Sequence, residues 1–212
     1  MRVSTSTLHR TVAWSKDDPL GAEIASVAIM GDRLRANGVA IGSEPDAYRL
    51  DYELETSGGF MTSRLVVKTR AERWSRRIEL TRRPGAGWTA KVSQEGDVSL
   101  PDAGGDLAAF DDALDPDLGL SPLFNTMPVL RHRIHEGGAA DDFLMVWISV
   151  PDLSLHASPQ RYTHTETRAR DERAIRFEAV GEGDHFVADL TFDADGLVVD
   201  YPGIATRIRR RS

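Results

Sequence analysis

The 212-residue sequence contains no cysteine. That absence excludes disulfides, thiolate metal sites, a cysteine nucleophile and a lipidated N-terminal cysteine. Lysine is scarce too: Lys16, Lys68 and Lys91 are the only ones, and every other basic residue is arginine. Arginine's planar fork suits carboxylate or phosphate, although a general preference for arginine accounts for the bias more simply. With Asp+Glu at 33 against Lys+Arg at 26, the net charge is −7. Such an acidic chain lacks the basic balance of a nucleic-acid binder. No apolar run approaches a membrane span, and the opening MRVSTSTLHRTVAW has no apolar segment of signal-peptide length. The expectation is a cytoplasmic protein with neither a nucleic-acid partner nor stable membrane insertion.

The motifs of common chemistries are also missing. There is no Gly-x-Ser-x-Gly elbow, no Ser-x-x-Lys pair, no P-loop lysine and no Gly-x-Gly-x-x-Gly spacing. His132 and His135, with Glu136 beside them, resemble part of a metal site. Read on a strand, however, residues three apart point to opposite faces, and zinc needs three or four convergent ligands. Asp193-Ala194-Asp195-Gly196 echoes a calcium loop, but Thr191 and Pro202 fall where its two anchoring ligands belong, so it reads as a turn. No catalytic residue, metal ligand or cofactor is assigned.

What is present is sheet. Alternation is cleanest over Ala47–Glu55, where Tyr48, Leu50, Tyr52 and Leu54 share one face and charged residues the other. Arg10–Trp14, Ala22–Met30, Leu34–Ile41, Phe60–Arg70, Trp74–Arg82 and Trp88–Val92 complete a first meander of six or seven strands. Gly104–Leu120, rich in Asp and Ala, reads as an acidic loop or one or two helical turns. Ser121–His132, SPLFNTMPVLRH, divides the chain: its two prolines bar a plain central strand, and Met127–Glu136 leads into a second set. That set comprises Phe143–Val150, read as covered on both faces, then Leu153–His156, Arg161–Arg168, Ala174–Val180, Phe186–Phe192 and Leu197–Tyr201. The tail from Ile204 reads as solvated. No Gly/Ser/Pro linker separates the halves. The expected fold is therefore one mostly β domain over residues 1–212, with antiparallel meanders at about 9–100 and 121–208. A roll, a barrel or a sandwich, with at most one or two short helices, satisfies this pattern.

Several segments, in order along nearly the whole chain, resemble a bacterial family labelled putative glycolipid-binding, formerly a domain of unknown function. They include Val12-Ala13-Trp14, Tyr48–Tyr52, Thr62-Ser63-Arg64 and Leu80–Trp88. The most specific are Phe124-Asn125-Thr126-Met127-Pro128-Val129, Pro159-Gln160-Arg161-Tyr162-Thr163 and Asp193–Pro202. Two departures stand out. Leu130 occupies the first of two positions where the family usually shows arginines, leaving only Arg131, and the acidic Gly104–Leu120 stretch replaces a shorter connection. The resemblance implies antiparallel strands rolled into a barrel-like or spiral β-roll around an apolar interior, similar in shape to bacterial lipoprotein carriers. It also implies an amphiphilic small molecule, a glycolipid or fatty-acyl compound, as partner.

Burying about ten acyl methylenes at ~0.8 kcal/mol each offsets much of the roughly 4–15 kcal/mol cost of association, so polar anchors are needed for tight binding. The candidate ligand-binding residues are Arg64, Trp88, Asn125, Arg131, Gln160, Tyr162 and Tyr201. Arginine would pair with an anionic head, Asn and Gln would bond sugar hydroxyls, and the aromatics would line a cavity. Each has a plainer alternative: a wet sheet face for the arginines, a held bend for Asn125 and Gln160, core packing for the aromatics. Two other readings remain open. A cavity acid or histidine with a strongly displaced pKa would favour an enzyme, and a solid interior would favour an interaction protein.

Overall fold

A computed structural model describes residues 6–139, 141–169, 172–180 and 185–209. The first meander runs β1 (Leu8–Asp17), β2 (Leu20–Met30), β3 (Arg33–Gly42), β4 (Tyr48–Thr56), β5 (Thr62–Arg70), β6 (Trp74–Arg83) and β7 (Gly87–Gly96). The second runs β8 (Asp115–Leu118), β9 (Asp141–Ile148), β10 (Leu155–Ala169), β11 (Glu172–Val180), β12 (His185–Phe192), β13 (Val198–Tyr201) and β14 (Ala205–Arg207), with α1 (Thr126–Arg131) between β8 and β9. All fourteen strands form one sheet, ordered β7 to β1 and then β14 down to β8, which curls without closing. The two meanders join where β1 pairs with β14, so the strands nearest the two ends of the chain meet at the centre of the sheet.

Alternation dictates which face is buried. In β4, Tyr48, Leu50, Tyr52 and Leu54 are buried while Arg49 and Glu53 are exposed. Two tyrosines on this face need glycine opposite them. Gly38 pairs with Tyr52 and Gly42 with Tyr48, and an added Cβ would lie 2.3 Å and 2.4 Å from the respective rings. The rings therefore lie over β3 where it has no side chains. One buried cluster gathers Trp14, Leu50, Leu65, Ile78, Trp88, Phe110 and Phe124. A second gathers Val129, Ile134, Tyr162, Phe177, Leu190 and Tyr201 beneath the second meander.

Four sequence expectations need correction. Met127–Glu136 is not a strand: Thr126–Arg131 is α-helical and Ile134–Glu136 forms a 3-10 turn, in line with the prolines that excluded a ladder position. The argument that His132 and His135 diverge on a strand therefore loses its premise. His132 instead faces Asp141 at 3.0 Å, and His135 is buried. Within Gly104–Leu120, the segment Asp115–Leu118 is a strand, parallel to β9, and Pro116 is tolerated because β8 is the edge of the sheet. Leu153–His156 is not a separate short strand: Leu155 and His156 join Arg161–Arg168 in one strand, β10, through Pro159; there only β9 pairs with it, since pairing with β11 starts at Gln160. Finally, the tail is not wholly solvated, because Ala205–Arg207 supplies β14; residues 210–212 lie outside the described residues. Among the described residues no helix is long and apolar enough to cross a membrane.

Candidate functional site

Register places the site. Gln160 lies opposite Phe143 on β9 and Ala179 on β11, Ser158 lies opposite Met145, and Ala179 lies opposite Phe186 on β12. On the other side of β9, Trp147 lies opposite Asp117 on β8. Period-2 alternation turns this set to one face of the second meander. Part of that face is covered by Val129 and Ile134 from the helical segment. The remainder walls a cavity of about 600 Å³, partly open to solvent and bordered elsewhere by Leu120, Ser121 and Asn125 and by Ile204. That volume is in the range of small-molecule sites. The wall is mainly apolar, with the exposed rings of Trp147 and Phe186 among its residues. Tyr162, Phe177 and Tyr201 extend the aromatic layer by edge contacts, with centroids 5.2 Å and 5.9 Å apart. A hollow of similar volume over β1–β4 has a wall as polar as it is apolar, lined by Arg10, Arg35, Glu53 and Glu55, and lacks this character.

One wall is polar and internally bonded. The Tyr162 hydroxyl, fully buried, reaches Asn125 Oδ1 at 2.8 Å and Gln160 Oε1 at 3.1 Å. Gln160 Nε2 donates to Asp117 Oδ2 at 2.6 Å and to Ser158 Oγ at 3.2 Å. Burial pushes the Asp117 carboxyl up to about 6, against the opposing pull of the Gln160 hydrogen bond. The Tyr201 hydroxyl is pushed upward as well, by burial and then by the nearby Asp117 charge. Leu120, on the same wall, holds a left-handed backbone at φ 61°, a conformation a leucine adopts only under constraint from its surroundings.

The candidates read from sequence separate into two groups. Asn125, Gln160 and Tyr201 line the cavity, and Tyr162 stands immediately behind, bonding two of the lining amides. Arg64, Trp88 and Arg131 lie elsewhere. Arg64 sits on the solvent-facing side of β5 between Glu53 and Glu79, at 3.4 Å and 3.0 Å. Trp88 is core, its indole N–H donating to the Ala113 carbonyl at 2.9 Å. Arg131 leaves α1 to bind the carbonyls of Gly59 and Phe60 and to pair with the buried Asp115. Leu130 packs against Gly196, so neither position of the family's arginine pair faces the cavity. Sequence reasoning missed Asp117 and Trp147. The only signal for Asp117 was its spacing from Asp115 across Pro116, too short to tell a strand from an acidic loop. Trp147 was hidden in an apolar run read as buried on both faces.

Behind the cavity lies a buried ion pair of the first meander. Lys16 Nζ approaches Glu23 Oε2 at 3.2 Å, and Glu23 Oε1 accepts from Tyr52 at 2.9 Å and from the cavity residue Ser121 at 2.6 Å. The wall is thus tied to both halves of the sheet.

A family model described as "Putative glycolipid-binding" matches residues 11–207. Among solved structures, the chain is similar to a DUF1089 family protein from Pseudomonas aeruginosa. Identity is 26%, the match covers 88% of this chain and 92% of that one, and the TM-score is 0.67. None of the curated proteins matches.

Proposed function

The chain belongs to the family described as Putative glycolipid-binding, and on that premise we propose that it binds a glycolipid or another fatty-acyl amphiphile in the cavity of the second meander. The observation that carries this reading is the cavity itself: about 600 Å³, walled mainly by apolar and aromatic side chains, with one polar wall of Asp117, Asn125 and Gln160. Such a division suits a ligand with an apolar tail and a polar end. Tail burial then supplies the hydrophobic driving force, and the polar wall orients the head. We place this binding in the cytoplasm, which fractionation of the host would check.

Native mass spectrometry of gently purified protein, followed by organic extraction, tests the reading. A stoichiometric amphiphile is expected from the wild type and should be lost from Ala179→Trp, which fills the cavity from β11. A bare mass from the host, with no uptake of long-chain amphiphiles offered afterwards, overturns it.

One observation favours a second reading. Asp117, its carboxyl pushed up to about 6 by burial at the edge of a cavity, has the profile of an acid–base catalyst. Its neighbours are amides, hydroxyls and phenols, with no second acid or base hydrogen-bonded to it among the described residues. Recovery of a chemically altered amphiphile after incubation, abolished in Asp117→Asn, would move the protein to this class.

A further inference from the structure

A donor and acceptor census of the polar wall narrows the ligand. Tyr162 has one hydroxyl proton and two amide oxygens within reach, Asn125 Oδ1 and Gln160 Oε1, so one of the two is left without it. Both protons of the Gln160 amide are committed, to Asp117 and to Ser158. Among the described residues nothing donates to Asp117 Oδ1. Among the described residues no Arg, Lys or His lines the cavity, and Asp117 is the only charged side chain that does. The cations nearby in the fold are engaged elsewhere, Lys16 with Glu23 and Arg131 with Asp115. The hydroxyls of Ser149, Ser158 and Tyr201 can donate or accept. Asn125 Nδ2, whose bond among the described residues is to the Pro122 carbonyl at 3.5 Å, and the Trp147 indole N–H can donate as well. The wall is therefore mixed in hydrogen bonding, with acceptors open at Asp117 Oδ1 and at one amide oxygen and a single negative charge among the described lining residues.

Resting on the amphiphile reading above, we propose that the cavity selects ligands whose polar end donates hydrogen bonds and carries no negative charge, a polyhydroxylated or ammonium head, and excludes carboxylate, sulfate and phosphate heads. An anion placed beside Asp117 meets a like charge, with no cation among the described lining residues to offset it. A sugar hydroxyl or an ammonium instead supplies the protons that Asp117 Oδ1 and the unserved amide oxygen need.

Proton linkage follows from the same geometry. The titratable groups facing Asp117 are Tyr162 and Tyr201, both pushed toward the neutral phenol by burial first, and Asp115 on its own strand, paired with Arg131. His156, exposed, packs at a tilt against Trp147, which lies opposite Asp117, with ring centroids 5.3 Å apart. An anionic head can enter only as Asp117 takes up a proton, so its affinity rises as pH falls through about 6.

Titration calorimetry with dodecyl glucoside, dodecylamine, dodecanoate and dodecyl phosphate, each below its micelle concentration, tests this at about pH 5 and about pH 8. At the higher pH the two anions are expected to bind at least about tenfold more weakly than the glucoside or the amine. The gap should narrow at the lower pH for dodecyl phosphate, and Asp117→Asn should narrow it at about pH 8 while changing it little at about pH 5. The stronger of glucoside and amine identifies which donor chemistry the wall prefers. Equal binding of dodecyl phosphate and glucoside at about pH 8 overturns the inference while leaving the amphiphile reading intact. Binding of none of the four, with no lipid recovered from the host, overturns both.

Discussion

Asp117 concentrates the consequences that single residues can have here. Its folded pKa lies above the ordinary carboxylate value, so it favours folding only where it is protonated. That contribution is complete below about pH 4 and is lost as pH rises through about 6. Asp117→Asn removes the charge and keeps an oxygen to accept from Gln160. The variant should be more stable than wild type near pH 8 by about 1–2 kcal/mol, allowing for water in the cavity, and the gain should vanish near pH 4. Denaturant titrations at the two pH values check this. A gain of the same size at both would show that packing, not charge, is responsible. The neighbouring Tyr162 is legible in the sequence as an aromatic with a polar tip, and its hydroxyl does bond Asn125 and Gln160. Asp117 was not legible, because an acid in an Asp-rich stretch gives no sign of being enclosed.

At the scale of elements, α1 and β8 act as a clasp. Arg131 on α1 holds Asp115 on β8, which also accepts from Thr62 at the start of β5. Asp115 is completely enclosed; burial raises its carboxyl pKa, and Arg131 is the main opposing influence. Arg131→Ala should therefore cost about 3–5 kcal/mol, since it strands a buried charge. The raised pKa sets the sign of the pH effect: the loss should be largest near pH 8 and smaller near pH 4, where Asp115 can protonate. Thermal unfolding at both values measures it, and a loss independent of pH would assign the effect to packing. The β3–β4 pairing makes a second element-scale prediction. Gly38→Ala places a methyl into the Tyr52 ring and disturbs its bond to Glu23. A loss of about 2–3 kcal/mol is expected, relieved in the double variant with Tyr52→Ala, as a double-mutant cycle would reveal.

Over the whole molecule, the sheet is continuous from β7 to β8 through the β1–β14 pair, and Ser121 links the cavity wall to Glu23 in the first meander. We propose on this basis that the chain unfolds as one unit. Calorimetry should show a single transition whose van't Hoff and calorimetric enthalpies agree, and near-ultraviolet and far-ultraviolet circular dichroism should change together. Two resolved transitions would divide the chain at the β8 region instead. An added amphiphile should raise the midpoint in proportion to the logarithm of its concentration above Kd.

Sequence alone determined that this is mostly antiparallel sheet in two successive meanders, while the curl of the sheet was implied only by the family resemblance. Alternation of apolar and polar residues is a local property, readable wherever one face of a strand is buried, as in Tyr48–Leu54. It also showed, through Pro122 and Pro128, that the middle of the chain is no plain central strand, though not that it turns helical. Tertiary structure decided the rest. Arg131 and Arg64 read alike in sequence, as arginines beside a family motif, yet one clasps a buried aspartate and the other lies on the solvent face. Their roles depend on which carboxylates the fold brings within reach, from strands up to sixteen residues away. The cavity itself exists because the register of β8–β13 aligns Asp117, Trp147, Gln160 and Ala179 on one face while the helical segment covers only part of it. No local pattern encodes a space that is bounded by residues distant in the chain.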